Sequence, residues 1–184
     1  GAIEEDTVSK SSSLGSARLR LPWLFTNLVG SLLSGAILWY FRYTIQEVVA
    51  IVSFIPVIAA MGGNVGLQSS TLIIRGLALG HITPSNARRL VVKEIGVAML
   101  NGLMWGSVVG VFAWLLYDNP ALGGVMALAM LLNLLVAALA GIFIPMTLER
   151  VKRDPAIGSS VMITFITDSM GFFIFLGLAT LLLL

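Results

Sequence analysis

From residue 21 to residue 184 the chain is a succession of five long apolar stretches separated by short polar connections. A stretch of about 20 apolar residues is what an α-helix needs to cross the hydrocarbon core of a bilayer. Of the 184 residues, 58% are hydrophobic and 11% are charged, whereas soluble domains carry roughly 25% charge. A water-soluble globule of this size has too much surface for so few charges. The expected class is therefore an all-α integral membrane protein with five transmembrane helices.

The runs are read at 21–40, from 46 or 48 to 74, 91–117, 122–148 and 156–184. Pro22 is expected in the first turn of the first helix, where its missing N–H costs nothing. Trp23 and the Trp39/Tyr40 pair fit the two interfacial levels of that span. The second run holds Pro56, Gly62, Gly63 and Gly66, breakers that predict a kinked or partly unwound middle. Unwound backbone is tolerated at membrane depth only where protein or water covers it. Pro84 and Ser85 are expected to open the third helix, and Asp118-Asn119-Pro120 to form a compact turn. Residues 1–17, polar and Ser-rich, read as a linker or remnant rather than a signal peptide.

Five crossings put the termini on opposite sides, and the basic residues divide accordingly. Lys10, Arg18, Arg20, Arg75, Arg88, Arg89, Lys93, Arg150, Lys152 and Arg153 fall on one side, and Arg42 alone falls on the other. Cytoplasmic loops carry the excess of Lys and Arg, so the N-terminus is expected in the cytoplasm and the C-terminus outside. The same division explains the net charge of +2 without a nucleic-acid partner.

Asp168 is the acidic residue expected near mid-membrane, in the run ITFITDSMGFFIF. A charge at that depth costs roughly 3 kcal/mol on insertion scales and marks an ion or substrate path by default. The competing reading is a structural carboxylate hydrogen-bonded to neighbouring Thr167 or Ser169, or one kept protonated by burial. No Lys or Arg is expected at that depth to neutralise it, Lys93 lying at the edge of its span, so the missing positive charge points to a cation. Carboxylate oxygens suit hard ions such as Mg2+, which keeps several waters when bound. One carboxylate is a poor cage, and a symmetric dimer would bring two Asp168 side chains together.

The second constellation is PVIAAMGGNVGLQ, from Pro56 to Gln68. Asn64 and Gln68 are four residues apart and share one helical face, as a polar lining would require. The competing reading is close helix packing by small residues. Asn101 and Asn133 are expected to cross-link helices through their amides. Gly102, Gly106 and Gly110 read as a packing interface, His81 as a solvated loop residue, and Glu94, Glu149 and Asp154 as solvated partners of nearby basic residues. With no cysteine and one histidine, thiolate and His-cluster metal sites and a His-based triad are disfavoured. A lone deep aspartate also lacks the second acid of an aspartyl protease, and the chain is not expected to be an enzyme.

Taken in order, Pro56, Gly62-Gly63-Asn64, Gly66, Gln68, TLIIRGLA from Thr71 to Ala78, Lys93-Glu94 with Gly96, Asp154-Pro155-Ala156, and Thr167-Asp168 with Gly171 resemble the membrane domain of the MgtE family of magnesium channels. The resemblance covers 18–184. It implies a homodimer in the plasma (inner) membrane, with five helices per subunit and an ion path near the two-fold axis between the second and fifth helices. It also implies that Asp168 is the metal residue for hydrated Mg2+, with Mn2+ or Co2+ as further candidates. The pore lining is expected to draw on Pro56, Gly62, Gly63, Asn64, Gln68, Thr164 and Thr167. Met170 stands where the family pattern suggests a residue such as threonine. Family members usually carry cytoplasmic regulatory domains, expected in the full-length protein and absent from these 184 residues. The alternative function is a secondary transporter of divalent cations coupled to protons or sodium.

Overall fold

The computed structural model describes residues 13–82, 86–152 and 155–184, and all its regular elements are helical. They are α1 (Ser13–Tyr40), α2 (Arg42–Glu47), a 3-10 helix η1 (Val49–Phe54), α3 (Ile55–Ala78), α4 (Ala87–Tyr117), α5 (Pro120–Arg150) and α6 (Pro155–Leu183). Four helical stretches are long and apolar enough to cross a membrane: Val49–Ala78, Ala87–Tyr117, Pro120–Arg150 and Gly158–Leu183. A shorter apolar helix, Leu24–Tyr40, corresponds to the first expected span. The chain is thus an all-α, multi-pass membrane protein.

α5 is the hub. Half of its apolar window is buried, against 22% for α4, because it packs on α3, α4 and α6 together. Its start follows from local chemistry. Asp118 adopts a left-handed conformation with φ 49°, and the Asn119 side chain accepts hydrogen bonds from the backbone N–H groups of Ala121 (3.0 Å) and Leu122 (3.1 Å). Pro120 then sits in the first turn, where a missing N–H is harmless. The expected turn is present as read.

Contacts between helices fix their directions. Gly110 meets Gly123, Gly106 meets Ala127 and Gly102 meets Leu131, so α4 and α5 are antiparallel. Gly62 meets Asn133 and Gly66 meets Ala137, so α3 and α5 are parallel. Ile58 lies by Gly171 and Gly66 by Ile163, which sets α6 antiparallel to α3. Gly30 against Phe165 and a 3.0 Å bond between Ser34 and Ser169 hold α1 parallel to α6. The helices therefore alternate in direction along the chain. Arg75, Arg88, Arg89, Lys93, Arg150 and Lys152 consequently share one end of the bundle. Arg42 sits at the other, its guanidinium 4.3 Å from the Trp39 ring centre.

Three expectations are corrected. The Gly62–Gly66 stretch is continuous helix, and the irregular backbone is instead η1, just before Pro56 in the first turn of α3. Gly62 and Gly66 serve close approach: a Cβ on Gly62 would lie 2.6 Å from the Asn133 amide nitrogen, and one on Gly66 would lie 2.6 Å from Ile163. Second, α1 begins at Ser13, inside the stretch read as linker, so Pro22 is interior to the helix. Third, Glu94 is buried and accepts a 3.0 Å hydrogen bond from Ser69 rather than pairing in solvent. Pro84, Ser85, Arg153, Asp154 and the Trp23 side chain lie outside the described residues.

Candidate functional site

The candidate site is built on α3 and α6, and α5 sets their spacing. Asn133 of α5 is fully buried, and its amide nitrogen donates a 2.8 Å hydrogen bond to the carbonyl of Ile58. Gly62 of α3 and Gly171 of α6 make the room: a Cβ on Gly171 would lie 2.8 Å from Asn133 Oδ1. The amide thus ties α5 to α3, and the two glycines let α3 and α6 close over it, as small residues do in bilayers. The cross-link expected of Asn133 is present. For Asn101 no such bond forms among the described residues.

The rotation of α3 follows. Its buried face carries Ile58, Gly62, Gly66, Ser69, Ser70 and Ile73. The opposite face carries Ala60, Asn64, Leu67, Gln68 and Thr71, all exposed, a strip of polar and small residues among apolar ones. Its setting differs from the exposed faces of α1 and α4, which present Leu24, Phe25, Leu28 and Leu32, and Leu100, Val108, Phe112 and Leu115. Lipid can cover the latter. A row holding Asn64 and Gln68 at that depth calls for water or protein.

On α6, Thr167 is fully buried against α3, and its hydroxyl donates to the carbonyls of Ile163 (3.0 Å) and Thr164 (3.2 Å). Ser169 is engaged with Ser34 of α1. Successive residues on a helix are 100° apart, so Asp168 looks out between the side of α6 that packs on α3 and the side that packs on α1. It is half-buried. The Thr167 and Ser169 hydroxyls bond elsewhere and neither reaches its carboxylate.

The residues expected to line a path therefore divide into two groups. Pro56, Asn64 and Gln68 are exposed, and Gly63, Thr164 and Asp168 are half-buried. Gly62 and Thr167 are buried, where they set the packing between helices. Among the described residues no group of three or more His, Asp or Glu side chains comes together to cage a metal. Asp168 is a single, half-buried carboxylate. The tie between Ser69 and Glu94 was not legible in the sequence, since serine and glutamate 25 positions apart carry no spacing signal.

A family model described as MgtE, a divalent cation transporter, matches residues 55–178, about two thirds of the chain. The chain is similar to the magnesium transporter MgtE of Bacillus subtilis (strain 168), 32% identical over 179 residues, covering 97% of this chain and 40% of that protein. It is similar to the magnesium transporter MgtE of Thermus thermophilus, 34% identical over 165 residues, covering 89% of this chain and 36% of that protein. The Enterococcus faecalis magnesium transporter MgtE is 30% identical over 178 residues, covering 97% and 39%. The chain spans about two fifths of the length of these curated relatives.

Proposed function

The chain belongs to the MgtE family of divalent cation transporters, and from that premise we propose that it conducts Mg2+ across the cell membrane along a path bounded by α3 and α6. Membership places it among transporters rather than enzymes. In this reading five helices cross the bilayer, with the N-terminus cytoplasmic. Two copies of 18–184 face each other so that their exposed α3 strips and their Asp168 carboxylates border one aqueous path. The single observation that carries the proposal is that α3, which packs on α6, exposes the Asn64–Gln68 row while α6 carries a half-buried Asp168 whose neighbours are otherwise engaged. Both features are costly at mid-bilayer unless water and a cation meet them.

The mechanism follows from ion chemistry. Mg2+ dehydrates reluctantly, so two facing carboxylates hold it best through its water shell, with the side-chain carbonyl oxygens of Asn64 and Gln68 accepting hydrogen bonds from those waters. Such contacts attract a divalent ion without stripping it, which lets it leave again. Mn2+ and Co2+ have similar oxygen-ligand chemistry and are expected to pass as competitors. The related transporters are longer, and cytoplasmic regulatory segments in the full-length protein would act on this domain.

The test is Mg2+ uptake into proteoliposomes with a fluorescent indicator, comparing the chain with Asp168→Ala and Asp168→Asn. Both variants should lose at least about 90% of the flux, since removing about one charge interaction of 1.4 kcal/mol already costs tenfold, while helix content is unchanged. Full activity in Asp168→Asn would overturn the site. Flux that requires a proton or sodium gradient would favour coupled transport over conduction.

A further inference from the structure

At the basic end of the bundle, α3 and α4 are joined by a short connection yet make little direct contact with each other, because both are drawn onto α5 or α6. A cleft of about 690 Å³ lies between them, within the roughly 300–1,000 Å³ range of small-molecule sites. Leu72 and Ile73 of α3 and Leu90 of α4 form its apolar walls, and Arg89 and Lys93, one turn apart on α4, stand on its polar side. Neither basic side chain has a carboxylate partner among the described residues. The nearest acid in the lining, Glu94, is turned inward and bonded to Ser69, so it closes the cleft toward the bundle and leaves the two cations to a ligand.

We propose that this cleft binds an anionic phospholipid, with the headgroup phosphate held by Arg89 and Lys93 and an acyl chain lying along Leu72 and Leu90. Three properties favour lipid over a soluble anion. The cleft opens between two helices long and apolar enough to cross a bilayer, it has apolar walls in Leu72, Ile73 and Leu90, and its cations lie at the basic end of the bundle. Basic pockets of this design between transmembrane helices recognise acidic headgroups on the cytoplasmic side. The lipid fills a gap that the protein's own side chains leave open and braces α3, the helix that carries Asn64 and Gln68. The inference needs only membrane insertion, and it stands or falls separately from ion conduction.

The test is native mass spectrometry of the purified chain titrated with phosphatidylglycerol or phosphatidylcholine. Phosphatidylglycerol should bind about tenfold more tightly. Arg89→Gln/Lys93→Gln should reduce that preference to about one, Arg89→Lys/Lys93→Arg should keep most of it, and Arg88→Gln, which removes a neighbouring exposed cation outside the cleft, should leave it intact. A preference equal in all four proteins would overturn the assignment. Displacement of the lipid by millimolar inorganic phosphate would show a soluble-anion site and also overturn it. So would a cysteine at Leu72 that forms a disulfide with a second copy, because the cleft would then be a surface between subunits.

Discussion

At the scale of single residues, Asn133 and Asp168 show how a polar group is used inside a bilayer. Asn133 is enclosed, bonded to Ile58 and bordered by two glycines that leave no spare volume. Gly62→Ala should therefore destabilise the folded chain by about 1–3 kcal/mol, the usual cost of overpacking. Asn133→Ala should cost about 0.6–1.7 kcal/mol, the range for interhelical hydrogen bonds in bilayers. The two should be non-additive, since the smaller side chain at 133 accommodates the new methyl group. Thermal unfolding in detergent of the two single variants and the double variant checks this, and strict additivity would contradict the wedge. Asp168 differs in kind: its neighbours Thr167 and Ser169 are satisfied by backbone and by Ser34, and Asp168 itself is half-buried with no such bond to either.

At the scale of elements, the α4–α5 pair is held by backbone proximity. A Cβ on Gly106 would lie 2.7 Å from the carbonyl oxygen of Ala127, which cannot swing aside as a side chain can. Gly106→Ala should lower stability by about 1–3 kcal/mol. Gly124→Ala, where nothing lies within 4 Å, should be neutral or stabilising by up to about 1 kcal/mol, from helix propensity. Detergent melting of both variants separates the cases. The spacing of Gly102, Gly106 and Gly110 made this interface legible in advance, because the repeat itself marks a helix face. Gly62, Gly63 and Gly66 did not separate so cleanly: a cluster of glycines fits either a broken helix or a close crossing. What decides is the partner, and Asn133, Ala137 and Ile163 lie far away in sequence. Glu94 was misread for the same reason, its partner Ser69 being on another helix. Asn64 and Gln68 were legible because a four-residue spacing fixes a shared face within one element.

At the scale of the whole molecule, alternating helix directions and basic residues gathered at one end agree with the order of apolar runs in the sequence. That much was legible, since run length and charge placement are set by the bilayer. What covers each outward face was not, because exposure in a single chain looks alike whether lipid, water or protein covers it. The chain contains no cysteine, so single cysteines can report this difference. Cysteine at Asn64 or Gln68 should react with a membrane-impermeant cationic thiol reagent and be protected by Mg2+, whereas cysteine at Leu32 or Leu115 should react at least about tenfold more slowly, lipid being a barrier to charge. Equal labelling at all four positions would remove the case for an aqueous strip. The most direct measurement is anomalous diffraction from crystals of the chain soaked in Mn2+. The paired-carboxylate account predicts an anomalous peak on a two-fold axis between two Asp168 side chains, lost in Asp168→Ala; subunits whose Asp168 residues face apart with no metal between them would contradict it.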